Sequence, residues 1–174
     1  MKRLFPILTL LVLASSFCFA IEAVHGTVTK VDSVGKTIVI KTKEGTEHTV
    51  HFVNKTVVHG AEVGAKDSFK GVQEGSEVVA HYTTKGAEKT AVEVDKLGKD
   101  GLKATEGTVS EIDRGTKTIA VKTADGSVQT FKMADHATED AGKEVGKATV
   151  KSAKVTVYYT EDAGKKIAHF FENH

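Results

Sequence analysis

The sequence predicts an all-β protein made of two copies of one small barrel, and three observations lead to this prediction. Residues 26–32 return as residues 107–113, and residues 36–42 return as residues 117–123, with closely similar letters. Both copies alternate apolar and polar residues and are rich in Val, Ile and Thr, which is typical of strands. Each copy has its one long connection at the same place. A repeat of this length indicates two folding units rather than one large domain.

The first twenty residues have the pattern of a secretory signal peptide. Two basic residues follow Met1, and a mostly apolar stretch leads to a tail that ends at Ala20. The apolar stretch is shorter than the roughly 20 residues of a membrane-spanning helix. We therefore expect cleavage after about Ala20 and no membrane span in the mature chain. A retained membrane anchor is the alternative. Cys18 also leaves lipidation open, although Phe17 stands where a lipidation signal has a small residue.

Composition and charge limit what the mature chain can bind. Cleavage removes two of the 24 basic residues and none of the 23 acidic residues, so the charges nearly balance. A chain without a basic excess cannot neutralise a nucleic-acid backbone, and we expect no nucleic-acid partner. Cleavage also removes Cys18, the only cysteine. The stability of an exported chain without disulfides has to come from packed cores.

The first copy is predicted to contain five strands. Residues 24–31, 36–43 and 46–53 form the first three, and residues 78–82 and 89–95 form the fourth and fifth. Alternate apolar residues are expected on the inner faces of these strands: Ile38, Ile40, Val50, Phe52, Val78, Ala80, Tyr82, Val92 and Val94.

The connections of the first copy carry turn residues. The side chain of Asp32 is expected to cap the turn over residues 32–35. Glu44 and Gly45 are interpreted as a tight two-residue hairpin turn. The long connection covers residues 54–76, in which residues 65–70 are predicted to form one short helical turn anchored by Phe69.

The second copy repeats the order of the first. Its strands are predicted over residues 106–113, 116–123, 127–133, 153–160 and 165–171, with Ile119 inward as the counterpart of Ile38. The long connection, residues 135–151, again follows the third strand. An OB-fold barrel carries its helix or loop between those two strands, and closure of the barrel removes two unpaired sheet edges. SH3-like or open sandwich units are the alternative.

The predicted organisation is therefore a signal peptide over residues 1–20, a first OB-like barrel over 21–96, a linker over 97–105 and a second OB-like barrel over 106–174. Each barrel is close to the size at which a single core is marginal. We accordingly expect the two barrels to pack against each other.

The repeated motifs carry a resemblance to a known group of domains. The pattern Gly-x-Val-x-x-Val/Ile-Asp, then Lys-Thr-Ile-x-Ile/Val-Lys-Thr, Glu/Asp-Gly and a late Val-x-Val-x-Tyr resembles exported bacterial tandem OB-like small β-barrel domains of uncharacterised function. The resemblance covers nearly all of both copies and implies OB-like barrels behind a signal peptide. Its motifs are turns and core positions, so it implies a fold and no activity.

No catalytic arrangement emerges from the sequence, and we expect no enzyme. The mature chain has no cysteine and no Gly-x-Ser-x-Gly elbow. Its glycines do not have the spacing of a phosphate-binding or dinucleotide-binding loop. The adjacent acids at positions 139–140 and 161–162 lie in connections and are interpreted as solvated.

Histidine is the residue type that suggests a metal. All eight histidines follow the predicted cleavage site: His25, His48, His51, His59, His81, His136, His169 and His174. An exported His-rich barrel resembles, in this respect, the periplasmic copper-carrier barrels, which bind Cu(I) with His, Met and an aromatic residue. This chain departs from them, because it has no Trp and its one mature Met, Met133, is expected in the core, whereas Cu(I) prefers sulfur ligands.

The repeat weighs against a duplicated metal site. The counterparts of His25, His48, His51, His59 and His81 are Glu106, Gln129, Lys132, Asp140 and Tyr158, so none of these histidines is kept in both copies. His48 and His51 also stand three apart on one strand and point to opposite faces. We therefore assign no metal ligand and no cofactor from the sequence. The alternative is a site in one copy, formed by His48 together with His25 or His59.

The predicted function is that of a non-enzymatic exported binding or structural module of the bacterial cell envelope, periplasmic or secreted. Its partner would be an unknown envelope protein or a small ligand. Tyr158 and Phe170 are expected to point outward, where the copies pack together or a partner docks. The alternative function is a periplasmic metal-binding protein that uses histidines of the first barrel.

Overall fold

The computed structural model describes residues 21–60, 68–98, 101–139, 143–144 and 151–174, and these residues are mostly β-strand. The all-β prediction is confirmed. The predicted signal peptide, residues 1–20, lies outside the described residues. None of the helical structure within the described ranges has the length and apolar character needed to cross a bilayer.

The first barrel contains six strands and one 3-10 helix. Their bounds are β1 (Ile21–Asp32), β2 (Thr37–Lys41), β3 (Glu47–His51), β4 (Val57–His59), the 3-10 helix (Ser68–Gly71), β5 (Glu77–Lys85) and β6 (Glu88–Lys96). The second barrel contains β7 (Lys103–Asp113), β8 (Thr118–Lys122), β9 (Val128–Glu139), β10 (Lys143–Glu144), β11 (Lys154–Asp162) and β12 (Lys165–Asn173).

Both sheets close into barrels with the strand order of an OB fold. In the first, β1 pairs with β2 and β5, β2 with β3, and β5 with β6. The parallel pair of β3 and β6, at His51 and Thr90, completes the ring. In the second, β9 and β12 form the equivalent parallel pair. The predicted barrel topology is therefore confirmed in both copies.

A short extra strand, β4, lies beside β6. β4 pairs in parallel with β6, so that Val57 stands opposite Glu93 and His59 opposite Asp95. The end of β9 takes the same place in the second barrel, where Thr138 stands opposite Phe170. This position beside the last strand is a feature of the repeat.

The two barrel cores confirm most of the predicted inner faces. Ile38, Ile40 and Val50 are fully buried in the first core, and Ile119 and Phe131 are fully buried in the second. The alternating apolar pattern therefore predicted the strand register in both copies.

The prediction for Val92 is wrong, and a β-bulge is the reason. The pairing of β5 with β6 shifts register between His81 and Tyr82, whose partners are Glu93 and Ala91. Val92 is the extra residue and has no partner on β5. The bulge resets the alternation, so Ala91 and Val94 enter the core while Val92 is only half-buried.

The turns agree with the sequence except in the length of one hairpin. The side chain of Asp32 accepts hydrogen bonds from the backbone N–H groups of Val34 and Gly35, in the turn that Asp32 begins, as expected. The β2–β3 connection is a three-residue loop closed between Thr42 and Thr46, with only Gly45 at positive φ. The prediction of a two-residue turn was therefore wrong, and the hairpin has a three-residue loop. Phe69 is buried on the 3-10 helix as an anchor, although residues 65–67 lie outside the described ranges.

The two barrels pack against each other, as expected. A separate buried apolar patch lies between the two barrel cores: Val79, Leu97, Leu102 and Phe170, with Ala23 and Tyr158 packed against it. The outward aromatics Tyr158 and Phe170 are therefore part of the contact between the copies. We call this contact region the junction.

Candidate metal centre

The junction also has a polar side, where donor groups from both barrels converge. One nitrogen or oxygen atom from each of four residues lies within 4.8 Å of the other three. Three of these residues are buried and the fourth is half-buried. We call them the junction cluster: His59, Glu93, Asp95 and His169.

Strand pairing places the three members that come from the first barrel. Glu93 and Asp95 stand two residues apart on β6, so their side chains share one face while Val94 between them enters the core. The parallel register puts His59 of β4 directly beside Asp95. These three positions are therefore fixed by backbone pairing within one barrel.

A β-bulge places His169, the member from the second barrel. On β11, Tyr158 pairs with Phe170 and Tyr159 pairs with Ala168, so His169 has no partner. The pairing of β12 with β9 shifts at the same point. A bulge turns a side chain away from the regular alternation, and here the imidazole contacts Glu93 of the other barrel. The same bulge holds Val92 in the first copy.

The distances in the junction cluster are those of ligands around one small cation. The Nδ1 atom of His59 lies 3.1 Å from Oε1 of Glu93 and 3.0 Å from Oδ1 of Asp95. The Nδ1 atom of His169 lies 3.1 Å and 3.5 Å from the same two oxygens. Ligand atoms around a tetrahedral ion with bonds of about 2.0 Å stand about 3.3 Å apart. The four nitrogen–oxygen distances are close to that value, and the two remaining distances lie within 4.8 Å, so the four donor atoms converge around one point.

Hydrogen bonds outside the cluster orient two of its members. The Nε2 atom of His169 lies 3.0 Å from the hydroxyl of Thr160. When Nδ1 gives up its proton to bind an ion, this hydroxyl can accept a hydrogen bond from Nε2. The second oxygen of Asp95 lies 3.2 Å from Nε2 of the buried His81. Such outer hydrogen bonds fix the orientation of metal ligands.

The electrostatics of the cluster favour a cation. Hydrogen bonds to Asp95 and then to Glu93 raise the pKa of His59 to about 9, against the effect of its partial burial. Burial raises the pKa of Glu93, but the hydrogen bonds to His169 and His59 outweigh it, so the pKa of Glu93 lies below its usual value. The buried carboxylate of Glu93 thus remains ionised and attracts positive charge. A proton on His59 and a metal ion compete for the same place.

His81 has one nitrogen atom that the fold leaves unused. Its side chain is fully buried, and within the described ranges its Nδ1 has no hydrogen-bond partner. Since its Nε2 faces Asp95, His81 acts on the cluster through that carboxylate. The ring of His136 stands 6.4 Å away, measured between ring centroids. Imidazoles therefore surround Asp95 on more than one side.

The remaining histidines considered in the sequence lie elsewhere. His48 lies 2.6 Å from the amine of Lys89, and His25 lies 3.0 Å from Glu77. Both line a cleft of about 380 Å³ beside the β2–β3 loop. Neither belongs to the junction cluster. The structure therefore does not bring His48 together with His59, which was one form of the one-copy alternative.

Glu93 and Asp95 were not predicted as ligands, and His169 was named only as one of the eight histidines. The comparison of histidines between the copies assumed that a metal site would be duplicated with its barrel. A site between the copies does not meet this assumption, because each copy contributes different positions to it. One signal was available, since Glu93 and Asp95 alternate with valines and so place two carboxylates on one face of a strand.

Comparison with known proteins gives a similarity of fold with low sequence identity and low TM-scores. No protein-family model matches the chain, and no curated protein matches it. Similar solved structures include a copper(II) complex of a CusF variant from Escherichia coli (12% identity, 45% of this chain, 92% of that chain, TM-score 0.36). They also include apo-CusF from Escherichia coli (12%, 49%, 98%, 0.37) and Ag(I) CusF (12%, 45%, 99%, 0.34). We draw nothing about function from this similarity.

Proposed function

We propose that this protein is a non-enzymatic metal-binding protein, and that the junction cluster holds one divalent transition-metal ion, most favourably Zn²⁺. One observation carries the proposal: two imidazole nitrogens and two carboxylate oxygens converge within 4.8 Å of one another, with nitrogen–oxygen distances of 3.0–3.5 Å. The alternative is a network of ion pairs around a protonated His59, and metal titration separates the two.

The donor types support a borderline divalent ion. Imidazole suits Zn²⁺, Cu²⁺ and Ni²⁺, while Ca²⁺ and Mg²⁺ prefer oxygen ligands alone. Soft ions such as Cu(I) prefer sulfur, and the junction cluster contains no sulfur atom. Two carboxylates also neutralise the charge of a divalent ion. Zinc binds tetrahedral sets of this kind without any demand on d-electron geometry.

The number of protein ligands supports binding rather than catalysis. Catalytic zinc sites have three protein ligands and keep a position open for water or substrate. The junction cluster offers four, and three of their side chains are at most 11% exposed. His59 is the most exposed at 29%. An ion would reach the site past His59 and would then be enclosed.

Zinc titration of the metal-free chain tests the proposal. Calorimetry should give one tight site per chain, and His169→Gln should weaken it by at least 10-fold, the range of a lost ligand-shell interaction. His51→Gln serves as the matched control, because His51 lies on β3 outside the cluster. Equal zinc affinity in wild type and His169→Gln would refute the proposal.

We also propose that the protein works outside the cytoplasm, as the leader over residues 1–20 predicts. Among the described residues the first barrel begins with β1 at Ile21, so cleavage after Ala20 would remove none of its described strands. Mass spectrometry of the mature protein from a bacterial envelope fraction should find Ile21 at the N-terminus. An intact Met1 in the cytosolic fraction would contradict the proposal.

A further inference from the structure

We propose that the metal ion locks the two barrels together, so that the arrangement of the barrels depends on metal. This inference rests on the proposed metal-binding function of the junction cluster. The added consequence is that metal binding changes the arrangement of the barrels. An ion held by ligands of one barrel only would not affect the position of the other barrel.

The ligands are divided unequally between the barrels. Three lie on β4 and β6 of the first barrel, where backbone pairing fixes them relative to each other. The fourth, His169, lies on β12 of the second barrel. The first barrel therefore presents a three-ligand site by itself. The fourth bond to the ion is the one that crosses the junction.

His169 cannot reach the ion by a local movement of its strand. Its neighbours Ala168 and Phe171 are fully buried in the second core, and Phe170 is fully buried in the apolar patch of the junction. β12 is also paired on both sides, with β9 and β11. Since the strand is fixed within its barrel, coordination by His169 requires the whole second barrel to be in place.

Outside the junction cluster, the apolar patch and an exposed ion pair also connect the barrels. The apolar patch is small beside either barrel core. The ion pair between Lys43 and Glu172 has a distance of 3.0 Å, but the side chain of Lys43 is 70% exposed. Exposed ion pairs contribute little, because water screens them and both side chains lose freedom. The direct contact between His169 and Glu93 is a hydrogen bond, which a bound ion replaces with two coordinate bonds.

The connection between the barrels favours metal-linked docking. A short linker holds His169 near the three-ligand site at a high effective concentration, so the fourth ligand binds as an intramolecular step. Binding of zinc and docking of the barrels are then coupled, and each strengthens the other by the same factor. Loss of zinc is expected to broaden the range of barrel arrangements.

Pulsed electron resonance between two spin labels tests the lock. Val34 in the first barrel is 98% exposed and Val128 in the second is 58% exposed, so both can be replaced by cysteine and labelled. Cys18→Ser removes the only natural cysteine. The distribution of distances between the labels should be broad with a chelator and should become clearly narrower at saturating zinc.

Two ligand variants separate locking from binding. His59→Gln keeps ligands on both barrels, so saturating zinc should still narrow the distribution, although more zinc is needed. His169→Gln keeps three ligands on one barrel, so zinc should no longer narrow it at any concentration. An identical distribution with and without zinc in wild type, where calorimetry shows binding, would overturn the lock alone. Narrowing in His169→Gln would also overturn it. Absence of zinc binding in wild type would instead refute the proposed function.

Discussion

Removal of the Asp95 carboxylate should destabilise the first barrel even without metal. Asp95 is fully buried and faces His59 and His81 at 3.0 Å and 3.2 Å. Asp95→Ala removes the acceptor of both imidazoles and breaks the ion pair of Asp95 with His59, which then faces Glu93 alone. Breaking a buried ion pair by removal of one partner costs about 3–5 kcal/mol. We expect a loss of that size in the free energy of unfolding of the first barrel, in the presence of a chelator.

Hydrogen exchange read by mass spectrometry can measure this loss separately for each barrel. Peptides from β5 and β6 should lose protection in Asp95→Ala, while peptides from β8 should keep it. Zinc at 100 times its dissociation constant should stabilise wild type by about 2.7 kcal/mol and should do much less for the variant, so the difference between them widens.

The repeat supplies a matched control for Asp95→Ala. Glu172 is the counterpart of Asp95, and its side chain is 22% exposed beside the exposed Lys43. Glu172→Ala should therefore cost about 1 kcal/mol or less from the ion pair and should leave zinc affinity within a small factor. If Asp95→Ala costs no more than Glu172→Ala, the carboxylate is not the centre of the cluster, and the reasoning fails.

Three further predictions concern the barrels themselves. Ile38→Ala and Ile119→Ala should each cost about 2–5 kcal/mol in urea unfolding, because both side chains are fully buried; near-zero effects would contradict the packing. Gly26→Ala and Gly107→Ala should each cost about 1–3 kcal/mol, because a Cβ atom at either position collides with a backbone carbonyl of the next strand; unchanged stability in both would contradict that contact. Hydrogen bonds from neighbouring hydroxyls and an amide lower the pKa of Asp125 from 3.8 to about 2. Its contribution to stability should be complete above about pH 4 and lost as pH falls through about 2, and carbon NMR of the carboxyl group should show the low titration point.

The sequence predicted the barrels because its information about them is local and is given twice. Ile38 and Ile119 mark the same inner face in both copies, and both are fully buried. The orientation of Val92 was not predicted correctly, because a β-bulge interrupts the two-residue period and no residue type in the sequence indicates the bulge. The same bulge in the second copy carries His169. The direction of the His169 side chain was therefore as hard to predict as that of Val92.

The junction cluster could not be predicted from one copy, because its four residues come from both copies. Glu93 and Asp95 alternate with valines, so a strand pattern places them outward and predicts contact with solvent. His169 of the second barrel contacts that outer face, where Asp95 is fully buried. Burial by a second folding unit is a long-range event that composition and periodicity do not record.

The two copies keep the same scaffold at the junction while the residues on it differ. In the first barrel His81 lies 3.2 Å from the carboxylate of Asp95, and in the second Tyr158 lies 3.2 Å from the carboxylate of Glu172. Each acid thus has a donor at the same place on the neighbouring strand. At the position of Glu93 the second copy has Phe170, whose ring lies in the apolar patch. Equivalent positions therefore have different roles in the two barrels. Those of the first barrel supply most of the polar side of the junction, and those of the second supply much of its apolar side. A metal site that needs both halves can form only when the copies differ, which is why the absence of a repeated histidine is compatible with a site.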